Sequence, residues 1–322
     1  MAHYVLLGAG FSRNWGGWLT DEVFEYLLGC PEVLADGDLQ RRLWRVKDRG
    51  GFEAALEELQ AEAARSGDRT TLEKLERAIQ AMFAAMDGGF RNGRGTIFEF
   101  EFARGTSLVK DFLHRFDAIF TLNQDLLLER HYFNEGHGLV APQRWSGYTI
   151  PGMRPIVDNN APFTGERVVP AYAPDTEFQL PARMQPFYKL HGSSNWRDAH
   201  GRLIIALGGN KAGTIQANSV LNQYAERFKA ALSSGDARLM IIGYGFQDSH
   251  INTILLDAAT RQSLKLFVID LLGVDISHPN RKAPLRGPNP FADGIIGVSR
   301  RPLSASFGED RVEREKILRF FA

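Results

Sequence analysis

Five short apolar runs punctuate the chain: Tyr4–Leu7, Ala118–Thr121, Phe187–Leu190, Leu239–Ile242 and Leu266–Ile269. Most do not alternate apolar with polar positions. A strand that stays apolar throughout is covered on both faces, as in a parallel sheet. Between the runs the spacing changes to three and four. Asp21–Leu28 reads as a helix with acids in its first turn. Leu56, Leu59, Leu72, Leu75, Ile79, Met82, Phe83 and Met86 keep helical spacing. Gly67-Asp68 divides that stretch into two helices, and Gly88-Gly89 with Gly93 to Gly95 mark a loop after them. The pattern predicts a helical insertion over about residues 50–95.

Residues 134–186 break this rhythm. Eight of the 14 prolines fall there, from Pro142 to Pro186. So long a stretch without periodicity reads as a lid, a binding loop or an oligomer arm. Val312 to Phe321 reads as a short terminal helix, either packed on its own domain or offering a docking face. The whole predicts one α/β domain over residues 1–322, a Rossmann-like parallel sheet with helices on both faces and a helical insertion. In such sheets ligands bind at the carboxyl ends of strands. The ends at Gly8, Asn123, His191, Gly243 and Asp270 are therefore expected to converge on one crevice.

Composition narrows the partners. Lys plus Arg and Asp plus Glu are 38 each, so no global field favours nucleic acid or an anionic membrane. Net charge near zero does not oppose self-association, which makes a homo-oligomer the expectation. The single cysteine, Cys30, rules out an intramolecular disulfide and a tetracysteine zinc site. The first residues lack the features of a signal peptide, and there is no apolar run of about 18 residues. A cytoplasmic protein is expected.

Candidate chemistry sits at the strand ends, each with an ordinary structural alternative. Gly8-Ala9-Gly10-Phe11-Ser12 is a tight turn whose glycines permit a phosphate to approach the backbone, but Arg13 stands where the dinucleotide fingerprint has a third glycine. The turn is equally a plain strand-to-helix connection, and Arg13 is either a surface charge or a phosphate partner. Asn123 and Asp125 are either helix-capping residues or a pair holding water, a ribose hydroxyl and an amide. His191 precedes a turn at Gly192-Ser193-Ser194; an ordinary imidazole pKa near 6.5 suits proton transfer. Gly243-Tyr244-Gly245-Phe246 reads as a hairpin turn or a second phosphate or ribose loop. Asp270 is a solvated acid or a ribose ligand. Asp248, His250 and Asn252 suggest a metal by composition alone, but their place before an apolar helix points to capping and local hydrogen bonding. No metal is expected.

Taken in order, these segments resemble the sirtuin family. Gly8-Ala9-Gly10-Phe11-Ser12 is similar to its Gly-Ala-Gly-Ile-Ser, Thr121-Leu122-Asn123-Gln124-Asp125 to its Thr-Gln-Asn-Ile-Asp, and Leu190-His191-Gly192 to its Leu-His-Gly. Gly243-Tyr244-Gly245-Phe246 stands where the family has Gly-Thr-Ser. Residues 193–240 hold none of the four zinc-binding cysteines of protein-deacetylating sirtuins, and Arg13-Asn14-Trp15-Gly16-Gly17 replaces their Ile-Pro-Asp-Phe-Arg. Both departures resemble a divergent bacterial branch of NAD⁺-depleting antiphage effectors, which often act beside a HerA-like ATPase, an Argonaute or a sensing domain. The resemblance implies NAD⁺ as substrate, with Asn123, His191 and Asp125 catalytic. It implies that residues 8–13, residues 243–246 and Asp270 bind it. An ADP-ribosyl or acyl-lysine transferase and a non-catalytic NAD⁺ or ADP-ribose sensor are the alternatives.

Overall fold

The computed structural model describes residues 1–92, 108–132, 144–155, 170–172, 178, 180–198, 200–279 and 287–322. Strand β1 (His3–Leu7) leads into helices α1 (Ala9–Arg13), α2 (Thr20–Leu28), α3 (Pro31–Leu34), α4 (Gly37–Val46), α5 (Gly51–Ser66), α6 (Thr70–Asn92) and α7 (Leu108–Leu113). Then come β2 (Ala118–Thr121), α8 (Leu127–His131), β3 (Gly147–Thr149), β4 (Met153–Pro155), β5 (Pro170–Tyr172), β6 (Met184–Lys189), β7 (Gly192–Arg197) and β8 (Leu203–Ile205). The chain closes with α9 (Lys211–Ala217), α10 (Ser219–Leu232), β9 (Arg238–Ile242), α11 (Ser249–Arg261), β10 (Lys265–Ile269), β11 (Ile295–Ser299), α12 (Leu303–Ser306) and α13 (Arg311–Leu318).

Seven strands form one sheet in the order β11-β10-β9-β1-β2-β6-β3, and every pairing in it is parallel. Successive residues of each central strand go to opposite cores. Val5, Leu7, Met240, Ile242, Phe267 and Ile269 join the core shared with α2 to α8, α12 and α13. Leu6, Leu239, Ile241, Leu266 and Val268 join the core shared with α9 to α11. Helices thus cover both faces, which is why these strands carry no polar alternation. This is a Rossmann-like α/β fold.

From β1 the chain moves first to β2 on one side and returns later to β9 on the other. The switch point therefore lies between β1 and β9. Leu7 pairs with both Thr121 and Ile242, Ile242 with Ile269, and Thr121 with Lys189. The expected strand ends accordingly lie along one edge of the sheet. A smaller sheet, β4-β5-β7-β8, stands apart from the seven strands.

Several expectations need correction. Gly88-Gly89 lies inside α6, not in a loop. Each mid-helix glycine costs about 1 kcal/mol relative to alanine, but burial of Met86 and Phe90 on either side carries the helix through. Gly192-Ser193-Ser194 begins strand β7 and is not a turn. The described parts of 134–186 include β3, which joins the main sheet, and β4 and β5 of the small one; the rest of that segment, and Gly93 to Gly95, lie outside the described residues. The terminal helix packs inward. Ile317 and Phe320 are buried, the Phe320 ring meets His3, and Arg238 donates to the Phe320 carbonyl at 2.6 Å.

Candidate active site

The turn after β1 and the turn after β9 pack backbone against backbone. Gly10 donates its N–H to the Gly243 carbonyl at 2.9 Å. A Cβ on Gly8 would lie 2.5 Å from that same oxygen, and Gly243 has φ +62°. Both glycines are demanded by this contact before any ligand arrives. The rings of Phe11, Tyr244 and Phe246 are buried in the two cores, so this part of the site faces outward mainly as backbone. Phe246 holds φ +51°, a strained conformation for a side-chain-bearing residue. Arg13 is paired with Glu22 at 2.7 Å. Asp270 accepts from the Leu272 N–H at 2.8 Å, closing the turn after β10.

Asn123 follows β2 and is buried. Its Nδ2 donates to the Gly8 carbonyl and to Ser12 Oγ, both at 3.0 Å. Ser12 in turn hydrogen-bonds the Asp125 carboxylate, which also accepts from the Leu127 N–H at 3.0 Å. Burial pushes the Asp125 carboxyl above its usual range, against the opposing pull of Lys189, Ser12 and Leu127. Lys189, at the end of β6, is 1% exposed. It donates to the Asp125 carbonyl at 2.5 Å and to Glu129 Oε1 at 2.7 Å. Glu129 is likewise raised by burial, and its buried Oε2 has no hydrogen-bond partner among the described residues. Ser12, Asn123, Asp125, Glu129 and Lys189 line a narrow pocket with an empty volume of about 170 Å³.

His191 lies two residues beyond Lys189, as Asn123 lies two beyond the register partner Thr121. Its imidazole is 2% exposed, and its Nε2 lies 3.0 Å from Nε2 of His250. Burial drives its pKa down to about 3; Asp248 opposes this, while Lys211 and His250 add to it. The expected titration near 6.5 is thus not met, and His191 is a neutral imidazole at physiological pH. Gly192 makes this placement possible. It holds φ +75°, and a Cβ there would lie 2.1 Å from the Ile204 carbonyl.

Behind the two histidines sits a second charged group. Lys211 bridges Glu53 and Asp248, each at 2.8 Å. Asp248 precedes α11 but makes no side-chain cap, contrary to the capping expectation, because Lys211 engages its carboxylate. Asn252 does hydrogen-bond locally, accepting from the Tyr244 hydroxyl at 2.9 Å and donating to the Phe246 carbonyl at 3.0 Å.

The structure therefore joins Gly8, Ser12, Asn123 and Asp125 in one network and places His191 in register beside it. It turns Arg13 and the rings of Phe11, Tyr244 and Phe246 to other tasks. Lys189, Glu129, Glu53 and Lys211 were missed. Only Lys189 left a trace, a lone charge inside the apolar run Phe187–Leu190. Among curated proteins none matches this chain. Residues 117–274, which carry Asn123, Asp125, His191 and the turn at Gly243, match a family model described as a SIR2-like domain.

Proposed function

We propose that the chain is an NAD⁺ glycohydrolase that breaks the bond between nicotinamide nitrogen and ribose C1′. The bonding pair leaves with nicotinamide, which departs neutral. Water captures the cationic ribose and releases one proton, giving ADP-ribose. Asn123 carries this reading. Its amide nitrogen is committed to Gly8 and Ser12, and no hydrogen bond to its Oδ1 forms among the described residues. That oxygen is available to hold a ribose hydroxyl or the attacking water. Neutral His191 accepts a hydrogen bond from a ribose hydroxyl, and Asp125 meets the nicotinamide amide. Gly8 to Ser12 and Gly243 to Phe246 supply backbone to the phosphates, and Asp270 reaches the adenosine ribose. The SIR2-like match supports NAD⁺ as the substrate.

We further propose a cytoplasmic antiphage effector that works as a homo-oligomer, with a HerA-like ATPase or another defence partner. Ile317 and Phe320 take no part in that assembly, because they are buried inside their own chain. No helix among the described residues is long and apolar enough to cross a membrane.

The test is purified protein incubated with NAD⁺, with nicotinamide and ADP-ribose quantified in the presence and absence of an acetylated peptide, and with sedimentation velocity on the same preparation. Asn123→Ala and His191→Ala should each lower nicotinamide release about 100-fold or more with the fold retained. Near-normal turnover in a folded variant removes that residue from the mechanism. Peptide-dependent release would favour the transferase reading instead.

A further inference from the structure

We infer that His191, His250 and Asp248 form a binding site for one divalent transition-metal ion of the zinc class, and that occupancy withdraws His191 from NAD⁺ cleavage. The second half rests on the hydrolase reading; the first does not. One ligand atom from each residue lies within 4.8 Å of the other two. The two imidazole Nε2 atoms are 3.0 Å apart. Bonds of about 2.0–2.1 Å to a tetrahedral ion set nitrogens roughly 3.3 Å apart, so the pair needs to open by only a few tenths of an ångström. In the ion-free protein the two nitrogens share one proton in a hydrogen bond. An ion takes the Nε2 lone pair of both rings, and the shared proton moves to Nδ1 of the donor ring, which changes tautomer and stays neutral.

The donor set is two imidazoles and one carboxylate. It suits zinc, cobalt or nickel better than the all-oxygen preference of calcium or magnesium. Three protein ligands leave a fourth position for water. The surrounding charge also favours a cation. Asp248 and Glu53 are two carboxylates against the single ammonium of Lys211. Lys211 engages Oδ1 of Asp248, which leaves its second oxygen to the ion. The ligands are held firmly, since Gly192 anchors the backbone after His191 and the Tyr244–Asn252 hydrogen bond fixes the start of α11. An ion on His191 Nε2 fixes the proton on Nδ1, so the ring has no lone pair left to accept the ribose hydroxyl of the proposed chemistry, and the ion acts as an inhibitor.

The experiment titrates metal-free full-length protein with Co²⁺ and follows its visible absorption. One ion per chain should bind, with the intense bands of a low-coordinate site, and Zn²⁺ should bleach them. His250→Gln should abolish the bands. Wild-type crystals soaked in Co²⁺ should show an anomalous peak bonded to Nε2 of both His191 and His250, a readout independent of whether the variant folds. Equimolar Zn²⁺ should lower NAD⁺ cleavage at least tenfold, and a chelator should restore it. Absence of saturable binding to millimolar Co²⁺, or an anomalous peak elsewhere, overturns the site. Occupancy with unchanged NAD⁺ cleavage overturns the inhibitory role. A chain that cleaves no NAD⁺ at all sinks the hydrolase reading, while the cobalt spectrum still decides the site.

Discussion

Lys189 and Lys211 each stand between two acids at the same edge of the sheet, yet they sit in different surroundings. Lys189 is 1% exposed and pairs with one carboxylate, Glu129; its other contact is the main-chain carbonyl of Asp125. Lys211 has a side chain 16% exposed and pairs with two carboxylates directly, Glu53 and Asp248. Around Lys189, burial raises both Asp125 and Glu129. Around Lys211 burial raises Glu53, whereas His191 and Lys211 help to hold Asp248 below its usual range despite its burial. Desolvation lowers the Lys211 pKa, but Glu53 and Asp248 outweigh it and the ammonium is stabilised overall. The first cluster is a deeply buried pair lining the pocket; the second is a two-carboxylate bridge that backs the histidines. A charge shielded from water with too few partners is costly.

The largest consequence of this difference concerns Lys189. Lys189→Met should cost about 3–5 kcal/mol of folding stability at pH 8, as expected when a buried pair loses one partner. Because Asp125 and Glu129 already have raised pKa values, they take up protons readily on acidification. The loss should therefore shrink at pH 5. Urea unfolding at the two pH values measures both. A loss below about 1 kcal/mol at pH 8 would show that the pair is solvated and erase the contrast.

Lys211→Met should cost less, about 1–2 kcal/mol after discounting for the water that reaches this bridge. It also removes one of the influences that lower the His191 pKa, so the acid limb of the activity profile should move to higher pH. A loss equal to that of Lys189→Met in the same unfolding assay would make the two clusters equivalent.

The last effect is in the acid dependence of stability. An unfolded histidine takes up its proton near 6.5, whereas folded His191 does so only near 3. Its contribution is therefore complete above pH 6.5 and is lost as pH falls toward 3, at no more than about 1.4 kcal/mol per pH unit. His191→Gln should flatten the wild-type slope between pH 6.5 and 5. A thermal-melt series with identical slopes would show that His191 is hydrated in the folded chain. Asp248, Lys211 and His250 face the same imidazole and are unchanged in that comparison.

The sheet was legible where burial is two-sided. All five apolar runs became strands of the main sheet, because positions covered on both faces must be apolar whatever the order of the strands. The edge strands β3 and β11 were not legible. In Ile295–Ser299 the short apolar stretch is broken by Gly297, which lies close beneath the Phe267 ring, and Ile296 is exposed, so the strand does not read as covered on both faces. Of the site, the network of Ser12, Asn123 and Asp125 was visible because each residue follows a readable strand within a short motif. The pairing of His191 with His250 spans 59 residues and that of Lys211 with Asp248 spans 37.

By itself the sequence determined the parallel sheet, the two-helix insertion and the residues that crown the strand ends, since these depend on period, turn chemistry and local order along the chain. Only the tertiary structure decided what surrounds those residues. It lowered the His191 pKa through burial, spent no ring of Phe11, Tyr244 or Phe246 on the site, and brought Glu53 from the insertion to Lys211. Desolvation and charge pairing depend on everything within a few ångströms in space, and residues that meet there carry no mark of it in their spacing along the chain.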